Sequence, residues 1–69
     1  MNISEVLEER RDERGISYSE LGRRTGNSGE MVARFCKGIS TPNGEQFLRI
    51  CKELGLEIED FDKSDIGGD

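Results

Sequence analysis

The sequence contains no histidine, no tryptophan, one proline and two cysteines. Without histidine, neither a Ser–His nor a Cys–His catalytic pair can form, and no Walker-type glycine loop is present to hold a nucleotide. Cys36 and Cys51 do not form a CxxC pair, and no histidine is available to complete a zinc site. We therefore expect no enzyme, metal site or cofactor, and two buried thiols rather than a disulfide.

Long apolar runs are also missing. The longest consists of Met31, Val32 and Ala33, whereas a bilayer crossing needs about 20 apolar residues. Residues 1–5 lack the basic and apolar stretches of a signal peptide, so we expect a cytoplasmic protein with no membrane partner. The 69 residues leave room for one small domain.

The charges are distributed unevenly along a chain whose net charge is −5. Residues 1–9 carry −3 and residues 45–69 carry −5, whereas residues 10–37 combine seven basic with four acidic side chains and carry +3. An anionic partner would be steered to this middle part. The same arginines also fit an ordinary solvated helix surface, which is the better interpretation on charge alone.

Glycine positions, capping residues and apolar periodicity predict four short helices and no strand. The helices are expected at about residues 4–14, 17–25, 28–37 and 43–54, with N-caps at Ser4, Ser17, Ser28 or Asn27, and Asn43. Ser17 with Glu20 matches a capping box. Leu56, Ile58 and Phe61 predict one more short turn or helix. The domain would then comprise residues 1–61, followed by a flexible acidic tail at residues 62–69.

The shortest connection joins the second and third helices, since only about Gly26 and Asn27 lie between them. Two helices joined by a short glycine-containing turn are typical of a helix-turn-helix corner. Gly22 lies inside the second helix, where it costs about 1 kcal/mol relative to alanine. Its presence indicates that another backbone packs closely there.

An ordered set of landmarks surrounds this corner. It comprises Arg11, Gly15, Ile16, Ser17, Glu20, Leu21, Gly26, Ser28, Val32, Arg34, Phe35, Gly38, Pro42, Asn43, the stretch from Phe47 to Leu56 and the stretch from Ile58 to Phe61. At these spacings, residues 16–61 resemble the lambda-repressor-like helix-turn-helix family (XRE, or phage-repressor type). The resemblance implies a compact all-α DNA-binding domain of four to five helices, with the third as recognition helix.

The same resemblance implies a sequence-specific DNA-binding transcriptional regulator whose partner is double-stranded DNA. The implied DNA-binding residues are Tyr18, Ser19, Lys37 and Asn43 at phosphates, Ser28, Gly29 and Glu30 at the start of the reading helix, Arg34 at bases or phosphate, and Ser40 and Thr41 near the groove. A homodimer on DNA is a further implication of the family. The expected self-contact surface lies around Leu56, Ile58 and Phe61.

Some residues depart from the family's pattern and leave a second function open. Gly29 offers no base-reading side chain, and Glu30 repels phosphates although it can accept a hydrogen bond from cytosine. Arg10 and Asn27 occupy positions that are usually apolar in the family. The alternative is a helix-turn-helix scaffold used as a protein-interaction module, an accessory or antitoxin-like partner with weak or no DNA binding.

Overall fold

The computed structural model describes residues 2–57, which form four α-helices and, within that range, no strand. The helices are α1 (Ile3–Arg14), α2 (Tyr18–Thr25), α3 (Gly29–Lys37) and α4 (Gly44–Leu54). The predicted all-α fold is confirmed. The expected extra turn at residues 58–61 and the acidic tail at residues 62–69 lie outside the described residues.

Three of the four helix starts were predicted correctly. The side chains of Ser17, Ser28 and Asn43 accept a backbone N–H three residues ahead, at distances of 2.8–3.0 Å. The box at Ser17 is only half formed, because the Glu20 carboxylate turns to the guanidinium groups of Arg23 and Arg24 instead. The choice between Asn27 and Ser28 is settled in favour of Ser28.

The prediction of Ser4 as the first N-cap is wrong. Asn2 holds that position, since its Oδ1 accepts the backbone N–H of Glu5 at 2.9 Å. The Glu5 carboxylate accepts the backbone N–H of Asn2 in return, at 3.0 Å, which completes a capping box. Ser4 lies in the first turn and donates its hydroxyl to the Asn2 Oδ1 at 2.8 Å.

One apolar core joins the four helices, and α2 and α3 pack most closely within it. Its buried members are Val6, Leu7, Leu21, Val32, Phe35, Cys36, Ile50, Cys51, Leu54 and Leu56. Both cysteines are free, buried thiols, as predicted. Arg10, at a position expected to be apolar, donates to the carbonyls of Leu54 and Gly55 at 3.2 Å. Within residues 2–57, no helix has the length and apolarity of a bilayer crossing.

Candidate nucleic-acid interface

A tight turn of Gly26, Asn27 and Ser28 separates α2 from α3. Gly26 has a φ of 76°, in the left-handed region that glycine adopts without strain, and it ends α2. A Cβ added to Gly22 would lie 2.8 Å from the Asn27 carbonyl oxygen and equally close to the Ser28 carbonyl group. The backbone contact predicted from Gly22 is therefore confirmed, and it lets the turn fold against the middle of α2.

The first residue of α3 also packs on α2. A Cβ at Gly29 would come within 2.8 Å of the Ser19 Oγ and 2.9 Å of the Ser19 Cα. The N-termini of α2 and α3 therefore lie side by side. Helix N-termini carry unpaired N–H groups and partial positive charge, so this part of the surface favours an anion such as phosphate.

α3 has one buried and one exposed face. Val32, Phe35 and Cys36 are buried in the core. Glu30, Arg34 and Lys37 are exposed and follow one another at spacings of four and three residues, which places them on a single helix face. We call these three residues the reading stripe. Its formal charge is +1, since two cations are combined with one carboxylate.

The loop after α3 returns to the reading stripe. The backbone N–H groups of Ile39 and Ser40 donate to the carbonyl oxygen of Arg34, at 2.9 and 3.3 Å. The Arg34 side chain donates from its Nε to the Ser40 hydroxyl at 3.2 Å. Ser40 is thus placed beside the stripe. Thr41 is exposed in the same loop, and Asn43 is exposed at the start of α4.

Comparison with protein-family models matches residues 7–61 to the helix-turn-helix family HTH_3. The chain belongs to the lambda-repressor-like helix-turn-helix family. This is a family of DNA-binding regulators and typically not of enzymes. Comparisons with curated proteins and with solved structures found no match.

In this helix-turn-helix domain, the Tyr18 side chain makes two contacts with α1. Its hydroxyl donates to the Glu8 carboxylate at 3.0 Å, and the Arg11 guanidinium lies 4.3 Å from the centre of its ring. The hydrogen bond from Arg11 lowers the pKa of Glu8, while burial raises the pKa of Tyr18. A phosphate at this hydroxyl would also meet the Glu8 charge, so a Tyr18–phosphate contact stays a prediction.

Asn27 supplies a link that the sequence pattern did not indicate. Its Nδ2 donates to the Thr25 hydroxyl at 3.0 Å, and its Oδ1 accepts from the Gln46 Nε2 at 3.1 Å. Gln46 in turn forms the capping box of α4 with Asn43. The polar residue at a position expected to be apolar therefore joins the turn of the helix-turn-helix domain to α4.

Neither Gln46 nor Glu8 was identified as part of the site from the sequence. From the sequence, Gln46 was recognised only as the residue three positions after the N-cap Asn43. Glu8 was recognised only as one of several acidic residues of α1. Their contacts with Asn27 and Tyr18 join residues 19 and 10 positions apart. No local pattern could have indicated them, because both contacts depend on how the helices pack.

Proposed function

We propose that this domain is a sequence-specific transcriptional regulator that reads the major groove of double-stranded DNA with α3, beginning near Ser28. The observation that carries the proposal is the exposed reading stripe next to the paired N-termini of α2 and α3. An α-helix with its side chains is about 10–12 Å across and fits a major groove of similar width.

The proposed contacts fall into two groups. Base edges would be met by Glu30 and Arg34, since side chains near the start of a recognition helix face the groove floor. Gly29 has no side chain and can offer the bases only its main chain. A larger residue would not fit at this position, because α2 occupies the space of its Cβ. Phosphates would be bound at the α2 N-terminus by Tyr18 and Ser19, and further along by Lys37.

The loop and the start of α4 complete the proposed phosphate contacts. Thr41 and Asn43 are exposed polar residues, and Asn43 lies at a further helix N-terminus. With so few cations, a single copy should bind DNA weakly and with a shallow salt dependence. We therefore propose that two copies occupy two half-sites of one operator, about 34–36 Å apart.

Two lysines of equal charge provide a matched test. Lys37 belongs to the reading stripe, whereas Lys52 lines a groove between α4 and the end of α2, with Thr25 and Gly26. We would first select a binding duplex from a random pool and then measure its affinity by fluorescence anisotropy across a salt series. Lys37→Gln should reduce the salt slope by about one.

The Lys52→Gln variant should retain the wild-type salt slope, because none of the residues that line the groove at Lys52 belongs to the reading stripe. Equal effects of the two substitutions would contradict the proposal. It would also be contradicted if the wild-type domain bound no duplex at low salt. Circular dichroism of both variants would show whether their helical content is intact.

The second candidate remains a protein-interaction module. Glu30 within the reading stripe and the net charge of −5 favour it, since both oppose contact with phosphates. Amide-shift mapping and co-purification together separate the two functions. Shifts at residues 28–34 on titration with duplex DNA would support DNA reading, whereas a partner that co-purifies at high salt without nucleic acid would support the module.

A further inference from the structure

The position of Ser40 relative to Arg34 is set by backbone hydrogen bonds. The Arg34 carbonyl accepts the N–H groups of Gly38, Ile39 and Ser40, so the chain curls back around the end of α3. Gly38, with a φ of 77°, makes this reversal and ends the helix. The Ser40 hydroxyl is thereby held within 3.2 Å of the Arg34 Nε.

This contact uses only one edge of the guanidinium group. The Nε donates to Ser40, while within residues 2–57 the terminal Nη1 and Nη2 groups of Arg34 make no hydrogen bond or ion pair. Two parallel donors of this kind match the O6 and N7 acceptors of guanine, the commonest base-specific contact of arginine. A hydrogen bond at Nε also restricts rotation of a long side chain that would otherwise lose entropy on binding.

We propose that Arg34 reads a guanine in each half-site and that Ser40 is the positioning residue that orients its guanidinium for this contact. The proposal rests on the DNA-reading function proposed above. It assigns Ser40 a role other than direct contact with the groove. It also places the main source of base discrimination at Arg34, since Gly29 has no side chain and the carboxylate of Glu30 repels the backbone phosphates.

The test compares base preferences rather than affinity alone. Duplexes would be selected from a random pool with the wild-type domain, and the affinity for the selected site would be compared with that for single-base variants. Arg34→Ala should reduce the preference for guanine at one position by about 5- to 100-fold. Ser40→Ala should reduce the same preference by about two- to tenfold, the effect of one hydrogen bond.

Three further measurements isolate the positioning role. Ser40→Thr keeps the hydroxyl and should restore the guanine preference. Ile39→Ala, in the same loop, should leave that preference unchanged, because the Ile39 side chain is exposed and has no role in the proposed contacts. Affinity for non-specific duplex and the thermal midpoint of unfolding should be the same for Ser40→Ala as for the wild-type domain, because neither depends on the orientation of Arg34.

The outcomes distinguish this inference from the proposed function. If the wild-type domain selects a site and Arg34→Ala abolishes its guanine preference, but Ser40→Ala changes nothing, the role of Ser40 is overturned and DNA reading stands. A uniform loss of affinity for all sequences in Ser40→Ala would make Ser40 a phosphate ligand and would also overturn it. If the wild-type domain selects no sequence, both proposals fail.

Discussion

Gly29 lies in direct backbone contact with Ser19, since a Cβ at position 29 would be 2.9 Å from the Ser19 Cα. The first residue of α3 is therefore in contact with the second residue of α2. The sequence suggested that Gly29 is a position lacking a base-reading side chain. The structure adds that α2 fills the space that such a side chain would need.

Gly29→Ala should destabilise the domain. The added methyl group would have to push the α2 backbone away from α3, and overpacking of this kind lowers the free energy of unfolding by about 1–3 kcal/mol. Chemical denaturation followed by circular dichroism would measure the change. Gly44→Ala is the matched control, because a Cβ there meets nothing within 4 Å. Equal stabilities of the two variants would contradict the prediction.

Glu30→Gln should strengthen DNA binding. The substitution removes the only carboxylate of the reading stripe while preserving the size and polarity of the side chain. Relief of repulsion from the phosphates should raise the affinity for non-specific duplex roughly two- to tenfold at 0.1 M salt. Anisotropy titrations would measure it, with Glu9→Gln on the exposed surface of α1 as the control. An unchanged affinity would place Glu30 away from the DNA. A lower affinity would show that its carboxylate contributes to binding, and it would also contradict the prediction.

Acid should weaken the link between α1 and α2. The hydrogen bond from Arg11, with a smaller one from Tyr18, lowers the pKa of Glu8 below its ordinary value of 4.5. A carboxyl group with a lowered pKa in the folded state stabilises the fold above its unfolded pKa, and this contribution disappears as the pH falls through the folded pKa. Wild-type stability should therefore decrease below about pH 4.5.

The Glu8→Gln variant tests this directly by urea denaturation at pH 7 and pH 3. It should be less stable than the wild type at pH 7, by under about 1 kcal/mol because Glu8 is partly exposed. The difference should be smaller at pH 3, because the contribution of the carboxylate declines once the pH falls below the unfolded pKa and towards the lowered folded pKa. A difference that stays constant across this range would show that the ionised carboxylate is not what stabilises the contact.

The Cys36 thiol should be unreactive in the folded domain. Burial raises its pKa to about 11, with the nearby Glu8 carboxylate contributing in the same direction, so the thiolate is scarce at neutral pH. In a Cys51→Ala variant, in which Cys36 is the remaining thiol, Ellman's reagent should react slowly at pH 8 and rapidly after denaturation. Rapid reaction in the folded state would show that Cys36 is accessible.

The helix boundaries were largely predictable because their signals are local. Ser28 and Asn43 cap helices whose first turns lie within three residues of them, and Gly26 ends α2 in a conformation that glycine favours. The error at Ser4 has a local cause as well. Asn2, two residues before Ser4, forms a complete reciprocal capping box with Glu5, and the helix therefore begins there and not at the serine.

The site was predictable only in part, because its decisive contacts are tertiary. That α3 exposes Arg34 and Lys37 follows from its 3.6-residue periodicity. The Tyr18–Glu8 hydrogen bond and the Gly29–Ser19 contact require knowledge of how α1, α2 and α3 pack. Which positions would face DNA stays a prediction from the family resemblance, and that resemblance did not indicate that the Tyr18 hydroxyl donates to the Glu8 carboxylate.

The hydrogen bond between Asn27 and Gln46 has a mechanical consequence. It joins the turn between α2 and α3 to the start of α4. The missing side chain of Gly22 also lets this turn pack directly against α2. These two contacts restrain the movement of this corner relative to α2 and α4. In the proposed DNA complex, a mismatch in shape at this corner would have to be absorbed by the duplex. Operators containing easily kinked pyrimidine–purine steps should then be favoured, even where no side chain reaches those steps.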